Sequence, residues 1–317
     1  MGHRTGLRAI PAFAGMTEGD ATKRRTGFLP LRPLITALAA LLAIVSPASA
    51  EEEQRTILFI GNSFTQGATS AVMHYRPESV TDLNGEGVGG IPALFARFVE
   101  QAGQTWKVSH ETRGGSTLGF HLNERRDRID APWDVVVMQQ YSVLDPERPG
   151  DPAQTLADAP ALAQTFTRAN PAVDVYLMAA WSRADQVYRE DGHWYGRPVA
   201  AMALDLRRAM DIADAASPEI DGVIPVGEAW NRAMWRGVAD PNPYDGRAFG
   251  HIDLWSYDQY HASIEGSYLE ALVVFGYVTG IDPRSLGPDE QAARDLGLST
   301  RIAQALQQVA AAQLGMV

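Results

Sequence analysis

The chain has 317 residues, of which 27 are Lys or Arg, 38 are Asp or Glu and none is Cys. The lack of cysteine excludes disulfides, thiol nucleophiles and thiolate metal sites. Residues 1–50 carry six Lys/Arg and two Asp/Glu, so the rest of the chain has 21 basic and 36 acidic residues, a net charge of −15. That charge disfavours nucleic acid as a partner, and we expect none.

The N-terminal segment has the features of an export signal. A basic region at 23–32 precedes an apolar run at 34–45 that is too short to span a bilayer comfortably. Residues 48–50 read Ala-Ser-Ala, the small-x-small pattern that signal peptidase cleaves. We predict cleavage after Ala50 and a periplasmic or secreted protein without a membrane anchor; an uncleaved N-terminal anchor is the alternative. A second methionine, Met16, would begin a signal peptide of ordinary length, so we expect an overextended start.

Residues 51–317 are predicted to form a single domain, because they can bury one large core and contain no linker or repeat. Helices and strands alternate along this part of the chain, which predicts an α/β fold, a three-layer α/β/α sandwich with a parallel five-stranded sheet. The alternating pattern places strands at 56–60, 106–112, 133–138, 174–179 and 222–226, of which 56–60 and 133–138 are the clearest apolar runs. It places helices at 92–99, 156–168, 200–216, 263–279 and 289–314. Pro225 indicates that the fifth strand lies at the sheet edge. The last helix is expected to break near Gly297.

Three irregular stretches interrupt this pattern, at 69–88, 185–196 and 238–256. They are rich in Gly, Pro, Asp and aromatic residues. Insertions of this kind often build a binding surface, so substrate specificity is expected there. Simple surface loops are the alternative.

A candidate nucleophile, Ser63, follows the first predicted strand within the sequence Gly-Asn-Ser-Phe-Thr at 61–65. The strand is a run of β-forming and aliphatic residues without polar alternation, which suits a strand covered on both faces. Its carboxyl end is where open α/β sheets bind ligands. A serine hydroxyl needs a neighbouring base to act as a nucleophile. The structural alternative is that Ser63 only caps the following helix.

Asp258 and His261 can supply the base and the group that orients it. Their i, i+3 spacing lets the carboxylate hold one imidazole nitrogen while the other faces the serine. Lys107 is the only lysine after residue 50 and lies in a predicted strand, so a serine–lysine dyad has little support. As alternatives, Asp258 could be a cap or turn residue and His261 a solvated surface residue.

A tetrahedral intermediate also needs donors for its oxyanion. The second predicted strand ends at Gly114-Gly115, where glycine can turn its backbone N–H toward a ligand. The third strand ends at Gln139-Gln140, whose amides are neutral donors. We therefore expect the N–H groups of Ser63 and Gly115 to converge with a glutamine amide.

These four motifs resemble the four conserved blocks of the SGNH/GDSL hydrolase superfamily. The resemblance is greatest to a poorly characterised branch whose serine block reads Gly-Asn-Ser-Phe-Thr and whose third-block asparagine is replaced by glutamine. It implies a flavodoxin-like sheet and the following roles: Ser63 as nucleophile, His261 as base, Asp258 as its orienter, and Ser63, Gly115 and Gln139 in the oxyanion hole.

Two departures from the family pattern bear on these roles. Asn62 stands where aspartate is common, which we expect to alter loop support more than chemistry. Gln139 is longer than asparagine, so its amide need not occupy the same point. Gln140 remains an alternative to Gln139, which is favoured because side chains alternate faces at a strand end.

The other histidines after residue 50 have no metal-ligand spacing, and we predict neither a metal nor a cofactor. They are His74, His110, His121, His193 and His251. Four tryptophans near strand ends or in irregular loops could stack on a substrate or pack in the core. They are Trp181, Trp194, Trp230 and Trp255.

The residues after the signal segment favour an exported serine esterase acting on a small-molecule or carbohydrate ester. An acetyl or other short acyl group on a carbohydrate fits the range that the resemblance implies and an extracytoplasmic location, while a lipid or thioester acyl chain and acyl transfer stay open. A flavodoxin-like cofactor binder and a non-catalytic carbohydrate-binding protein are the alternatives. If Asp258 is ionised, the activity is expected to depend on a pKa of His261 near or above about 6.5.

Overall fold

The computed structural model describes residues 54–316, so the predicted signal segment lies outside the described residues. The described residues lie within one compact unit. The strands are β1 (Arg55–Gly61), β2 (Thr81–Asp82), β3 (Trp106–Thr112), β4 (Val135–Gln139), β5 (Asp174–Met178) and β6 (Gly222–Ile224). The helices are α1 (Gly90–Gln101), α2 (Leu118–Glu124), α3 (Arg126–Ile129), α4 (Ala153–Ala169), α5 (Ala184–Tyr188), α6 (Ala200–Ala216), α7 (Val226–Trp235), α8 (Ile264–Thr279), α9 (Gln291–Asp295) and α10 (Thr300–Gln313). Across residues 54–316, no helix is both long and apolar enough to cross a bilayer.

The strands form one parallel sheet in the order β2-β3-β1-β4-β5-β6. Helices α1, α8 and α10 pack together, and α2 and α6 both pack on α4. The molecule is therefore a three-layer α/β/α sandwich, as predicted. β1 lies between β3 and β4, and its residues Ile57, Leu58 and Ile60 are fully buried because both faces of the sheet are covered.

The sheet has six strands rather than the five predicted. The additional strand, β2, pairs Thr81 and Asp82 with β3 at the sheet edge. Two half-exposed polar residues give no apolar run, so the periodicity of the sequence could not reveal this strand.

Two finer predictions are confirmed. β6 is the opposite edge strand, next to Pro225. The C-terminal helix is broken into α9 and α10 at Gly297, whose φ of 78° lies in the left-handed region.

Parallel strands place all their carboxyl ends at one edge of a sheet. The loops after β1, β3, β4 and β5 therefore begin along one edge, because these four strands are consecutive in the sheet. All of the predicted site residues that follow strands lie in these loops or at their start.

Candidate active site

Ser63 follows β1 at the start of a tight turn. The N–H of Gln66 donates to the carbonyl of Asn62 at 3.0 Å, and the N–H of Ala68 donates to the carbonyl of Ser63 at 3.0 Å. Gly61 allows this turn to close: a Cβ there would lie 2.3 Å from the Thr65 hydroxyl oxygen. The turn holds Ser63, which is partly buried, beyond the carboxyl end of the central strand.

Asp258 and His261 lie in the turn that precedes α8. One oxygen of Asp258 accepts from the backbone N–H groups of Tyr260, at 3.2 Å, and His261, at 3.0 Å. The other oxygen lies 2.6 Å from Nδ1 of His261. The carboxylate thus folds the turn and orients the imidazole ring with the same side chain, while Gln259 between them takes a left-handed φ of 66°.

The structure brings Ser63, His261 and Asp258 into one hydrogen-bonded chain. Nε2 of His261 lies 2.8 Å from Oγ of Ser63, while Nδ1 bonds to Asp258. With Nδ1–H donated to the carboxylate, Nε2 is left free to accept the serine proton. This is the arrangement of a nucleophile, a general base and an orienting group.

Burial and charge act in opposite directions on the two titratable groups. Burial lowers the pKa of His261 below its usual 6.5, and the neighbouring Asp258 only partly offsets this. Burial raises the pKa of Asp258, but hydrogen bonds from the His261 ring and from two backbone N–H groups outweigh it and lower the pKa below its usual 3.8. At neutral pH the pair is therefore a neutral imidazole beside a carboxylate.

A cavity of about 210 Å³ opens beside the hydroxyl of Ser63. It is lined by Asn62, Ser63, Phe64, Gly115, Tyr141, Ser142, Arg183 and Tyr260. Within residues 54–316, the backbone N–H groups of Ser63 and Gly115 have no hydrogen-bond acceptor. Gly115 has a φ of 74°, which a residue with a Cβ rarely adopts. Two free donors thus belong to residues that line the cavity.

Gln139 lies directly behind the nucleophile turn and is not among the residues that line this cavity. Its side-chain oxygen accepts from the N–H of Asn62 at 3.0 Å and from the Thr65 hydroxyl at 3.2 Å, and its amide nitrogen bonds to the carbonyl of Gln140. Gln139 is 1% exposed and does not line the cavity. Both ends of the amide are engaged, so Gln139 braces the turn that holds Ser63.

Gln140, the alternative to Gln139, is also engaged in structural contacts. Its oxygen accepts from the N–H groups of Leu118 and Tyr141, and its nitrogen donates to the Thr155 hydroxyl at 3.2 Å. Asn62 likewise links loops: its amide nitrogen donates to the carbonyls of Ser116 at 3.1 Å and Gln140 at 3.4 Å. These amides join the loops that follow β1, β3 and β4.

The tryptophans pack in the core. Trp181 lies between Phe64 and Trp230, with ring centroids at 4.3 and 4.6 Å and planes within 7°. All four tryptophans considered above are at most 2% exposed. Phe64 also packs edge-on against the ring of His261, at 5.6 Å. The stacked rings of Phe64, Trp181 and Trp230 therefore support the turn that contains Ser63.

Sequence reasoning missed four residues of the cavity wall, Tyr141, Ser142, Arg183 and Tyr260. The guanidinium of Arg183 lies 4.3 Å above the Tyr260 ring, pairs with Asp185 at 2.6 Å and donates to the Ser142 hydroxyl at 3.1 Å. Tyr141 and Ser142 follow β4 and Arg183 follows β5, so their positions could have indicated the site, since the same sheet edge carries Ser63; Tyr260 lies between Asp258 and His261. Within residues 54–316, no group of His, Asp and Glu is arranged to hold a metal ion.

The chain matches no family model and no curated protein. Among solved structures it is similar to a DUF4886 family protein from Bacteroides uniformis, with 18% identity, a TM-score of 0.56, and coverage of 84% of this chain and 97% of that one. It is also similar to a protein of Parabacteroides merdae described as a GDSL-like lipase (19% identity, TM-score 0.49, 72% and 96% coverage). A Clostridium thermocellum family 3 carbohydrate esterase has 14% identity, a TM-score of 0.45, and 72% and 96% coverage.

At these identities the likeness concerns the fold. The first of the three structures carries it, because its TM-score exceeds 0.5. The Gly-Asn-Ser-Phe-Thr block is not a feature of these comparisons. The roles of individual residues are argued from the geometry of this chain.

Proposed function

We propose that this protein is an exported serine esterase that forms an acyl-enzyme on Ser63. The observation that carries the proposal is the hydrogen-bonded chain from Ser63 through His261 to Asp258, beside a cavity with two free backbone donors. We also place the chain in the branch of the SGNH/GDSL superfamily with the Gly-Asn-Ser-Phe-Thr block.

In the first half of the reaction, Oγ of Ser63 attacks the ester carbonyl carbon while Nε2 of His261 takes the hydroxyl proton. The N–H groups of Ser63 and Gly115 donate to the carbonyl oxygen as it becomes negative. The intermediate collapses, the bond to the leaving alkoxide breaks, and the alkoxide takes the proton from His261. Asp258 stabilises the imidazolium throughout.

In the second half, water attacks the acyl-enzyme and gives a proton to His261. The ester bond to Ser63 then breaks, the carboxylic acid leaves, and the serine recovers its proton. Gln139 has no direct part in this proposal, because its amide is bonded within the protein. The oxyanion therefore relies on two backbone donors, and the third donor expected from the family pattern is absent from the scheme.

The substrate we propose is a short-chain acyl ester, such as an O-acetyl group on a carbohydrate. A cavity of about 210 Å³ has room for a small acyl group and little more. The ring of Tyr141 at its wall offers an apolar face with a polar tip, which suits a sugar. Export after cleavage at Ala50 would place the enzyme among extracytoplasmic polymers.

Fluorophosphonate labelling tests the nucleophile. Wild-type protein and the Ser63→Ala variant are treated, and the adduct is located by intact mass and peptide mapping. The buried Ser109 on β3, changed to Ala, is a matched control that keeps the whole site. We expect one adduct at Ser63 in wild type and in Ser109→Ala, and none in Ser63→Ala.

A panel of p-nitrophenyl esters then tests the acyl length. We expect acetate to be hydrolysed faster than butyrate and octanoate to be hydrolysed poorly. Failure of folded wild-type protein to label would remove the hydrolase proposal and leave a carbohydrate-binding protein on this scaffold. Preference for octanoate would overturn the short-chain assignment alone.

A further inference from the structure

A second hydrogen-bonded serine, histidine and carboxylate lies buried next to the candidate active site. Oγ of Ser116 lies 2.8 Å from Nε2 of His121, and Nδ1 of His121 bonds to the carboxylate of Glu111. Ser116 is 6% exposed, and His121 and Glu111 are fully buried. The proposed reaction does not use these three residues.

This second chain of hydrogen bonds cannot reach substrate as a nucleophile. The cavity is lined by Gly115 but not by Ser116. The Ser116 hydroxyl is instead enclosed between Nε2 of His121 and the carbonyl oxygen of Gly61, at 3.2 Å. A serine held in this way can serve only as a structural link.

The link joins the loop of the oxyanion donor to the loop of the nucleophile. Ser116 directly follows Gly115, and its hydroxyl bonds to Gly61, two residues before Ser63. In the opposite direction, the amide of Asn62 donates to the carbonyl of Ser116 at 3.1 Å. Ser116 is thus tied to the nucleophile loop through both its side chain and its backbone.

Gly115 has no side chain to hold it, so its position depends on the hydrogen bonds of its neighbours. A Cβ built on Gly115 would have no atom within 4 Å. Its backbone has a φ of 74°, and glycine adopts positive φ about as readily as negative φ. The turn is anchored at its two ends, by the N–H of Arg113, which donates to the Gly61 carbonyl at 3.0 Å, and by Ser116.

The other end of the hydrogen-bonded chain is rigid. Glu111 belongs to β3 and is paired in register with Ile60 of β1. Burial raises the pKa of Glu111, but its hydrogen bond and charge interaction with His121 outweigh this, so the pKa is lowered and the carboxylate is ionised. The guanidinium of Arg125 lies 3.5 Å from its second oxygen. An ionised carboxylate on a strand that is paired on both sides fixes the ring of His121 and, through it, Ser116.

We propose that Glu111, His121 and Ser116 form a positioning relay that holds the N–H of Gly115 at the distance from Ser63 that the oxyanion requires. The inference rests on the proposed function and adds three positioning residues to it. It predicts that loss of the relay lowers the rate of the chemical step while binding of substrate and the pKa of His261 stay as they are.

The first test compares Ser116→Ala with Ser109→Ala. Ser109 is a matched control, because it is a buried serine on β3 whose hydroxyl has no hydrogen-bond partner within residues 54–316. Hydrolysis of p-nitrophenyl acetate is measured, with kcat normalised to the sites that fluorophosphonate titrates. A misplaced oxyanion donor should lower kcat of Ser116→Ala about 10- to 100-fold. KM should match wild type, and so should the midpoint of the rise of kcat/KM with pH. Ser109→Ala should behave as wild type in all three quantities.

The second test uses two changes of Glu111 and decides the matter if Ser116→Ala does not fold. Glu111→Gln keeps an oxygen that can accept from Nδ1 of His121, so we expect it to retain kcat within about threefold of wild type. Glu111→Leu has a similar volume but no acceptor, and should lose as much as Ser116→Ala. Equal activity of the two Glu111 variants would overturn the relay.

The two proposals fail in different ways. Wild-type protein that neither labels nor hydrolyses the ester removes the esterase and the relay together. Active wild type with kcat of Ser116→Ala within about twofold of it removes the relay alone. A rise in KM at constant kcat would also overturn the relay, because it would mean lost ground-state binding.

Discussion

Nε2 of His261 lies 2.8 Å from Oγ of Ser63, although the two residues are 198 positions apart in the chain. The contact forms because β1 delivers Ser63 and the turn before α8 delivers His261 to one edge of the sheet. Each side chain is held from behind, Ser63 by its turn and His261 by Asp258. Such preorganisation is what a nucleophile and its base require.

The pH dependence should follow His261. Only the neutral imidazole accepts the serine proton, so activity rises with pH through the pKa of His261. Burial lowers that pKa below 6.5 by more than Asp258 raises it, so the midpoint should fall below 6.5, lower than the sequence suggested. The measurement is kcat/KM for an acetate ester from about pH 4 to 8, the range around the reference pKa. A midpoint above 6.5 in protein that stays folded would contradict it.

Asp258→Asn should abolish the proposed esterase activity without unfolding the protein. The asparagine oxygen can still accept from the N–H groups of Tyr260 and His261, so the turn is kept, but the imidazolium loses its counter-charge. We expect kcat to fall about 10³- to 10⁴-fold with little change in Tm. Asp258→Ala is the comparison, since it removes the turn contacts too and should lower Tm. A kcat of Asp258→Asn within tenfold of wild type would exclude Asp258 as the orienting group.

Gln139→Ala distinguishes a brace from an oxyanion donor. The change leaves the buried N–H of Asn62 without its acceptor. An unsatisfied buried donor costs about 1–3 kcal/mol, so the free energy of unfolding should fall by that amount. The loss in kcat should stay below the ~10²- to 10³-fold that follows removal of a direct oxyanion donor. Unchanged stability with such a large loss in kcat would instead place the amide in the oxyanion hole.

Trp181→Ala should destabilise the protein strongly. The change removes the middle ring of the stack between Phe64 and Trp230, and the hydrogen bond from its indole N–H to the carbonyl of Tyr260 at 3.0 Å. Replacing a buried tryptophan by alanine costs about 3–5 kcal/mol, measurable by urea unfolding. Trp181→Phe keeps an aromatic ring and should lose less than half of that. Equal losses in the two variants would mean that the stacking contributes nothing.

The layers of the fold could be predicted because they depend on local patterns. The apolar run at 56–60, which has no polar alternation, read as a buried parallel strand, and the observed β3 has the predicted bounds, 106–112. β2 was missed because two polar residues carry no pattern, and their pairing with β3 is decided by the neighbouring strand. The break at Gly297 could be predicted, because helices commonly end at a glycine in the left-handed conformation, and Gly297 has that conformation.

The hydrogen-bonded set of Ser63, His261 and Asp258 could be predicted from the sequence for a similar reason. Each residue follows a strand or precedes a helix, and parallel strands end at one edge. The hydrogen-bond partners of the Gln139 side chain could not be predicted from the sequence. The residue type shows only that the amide of Gln139 can donate and accept. Asn62 and Thr65 donate to its oxygen because the turn after β1 lies against the end of β4.

The sequence by itself determined the strand and helix pattern and the chemical types of the candidate site, because propensity, periodicity and side-chain chemistry are local properties. Only the tertiary structure decided which atoms meet. It turned Gln139 inward, placed Tyr141 and Arg183 around the cavity, and linked Ser116 to Glu111 through His121. Hydrogen bonds are short and directional, so their partners are fixed only when strands distant in sequence are packed side by side.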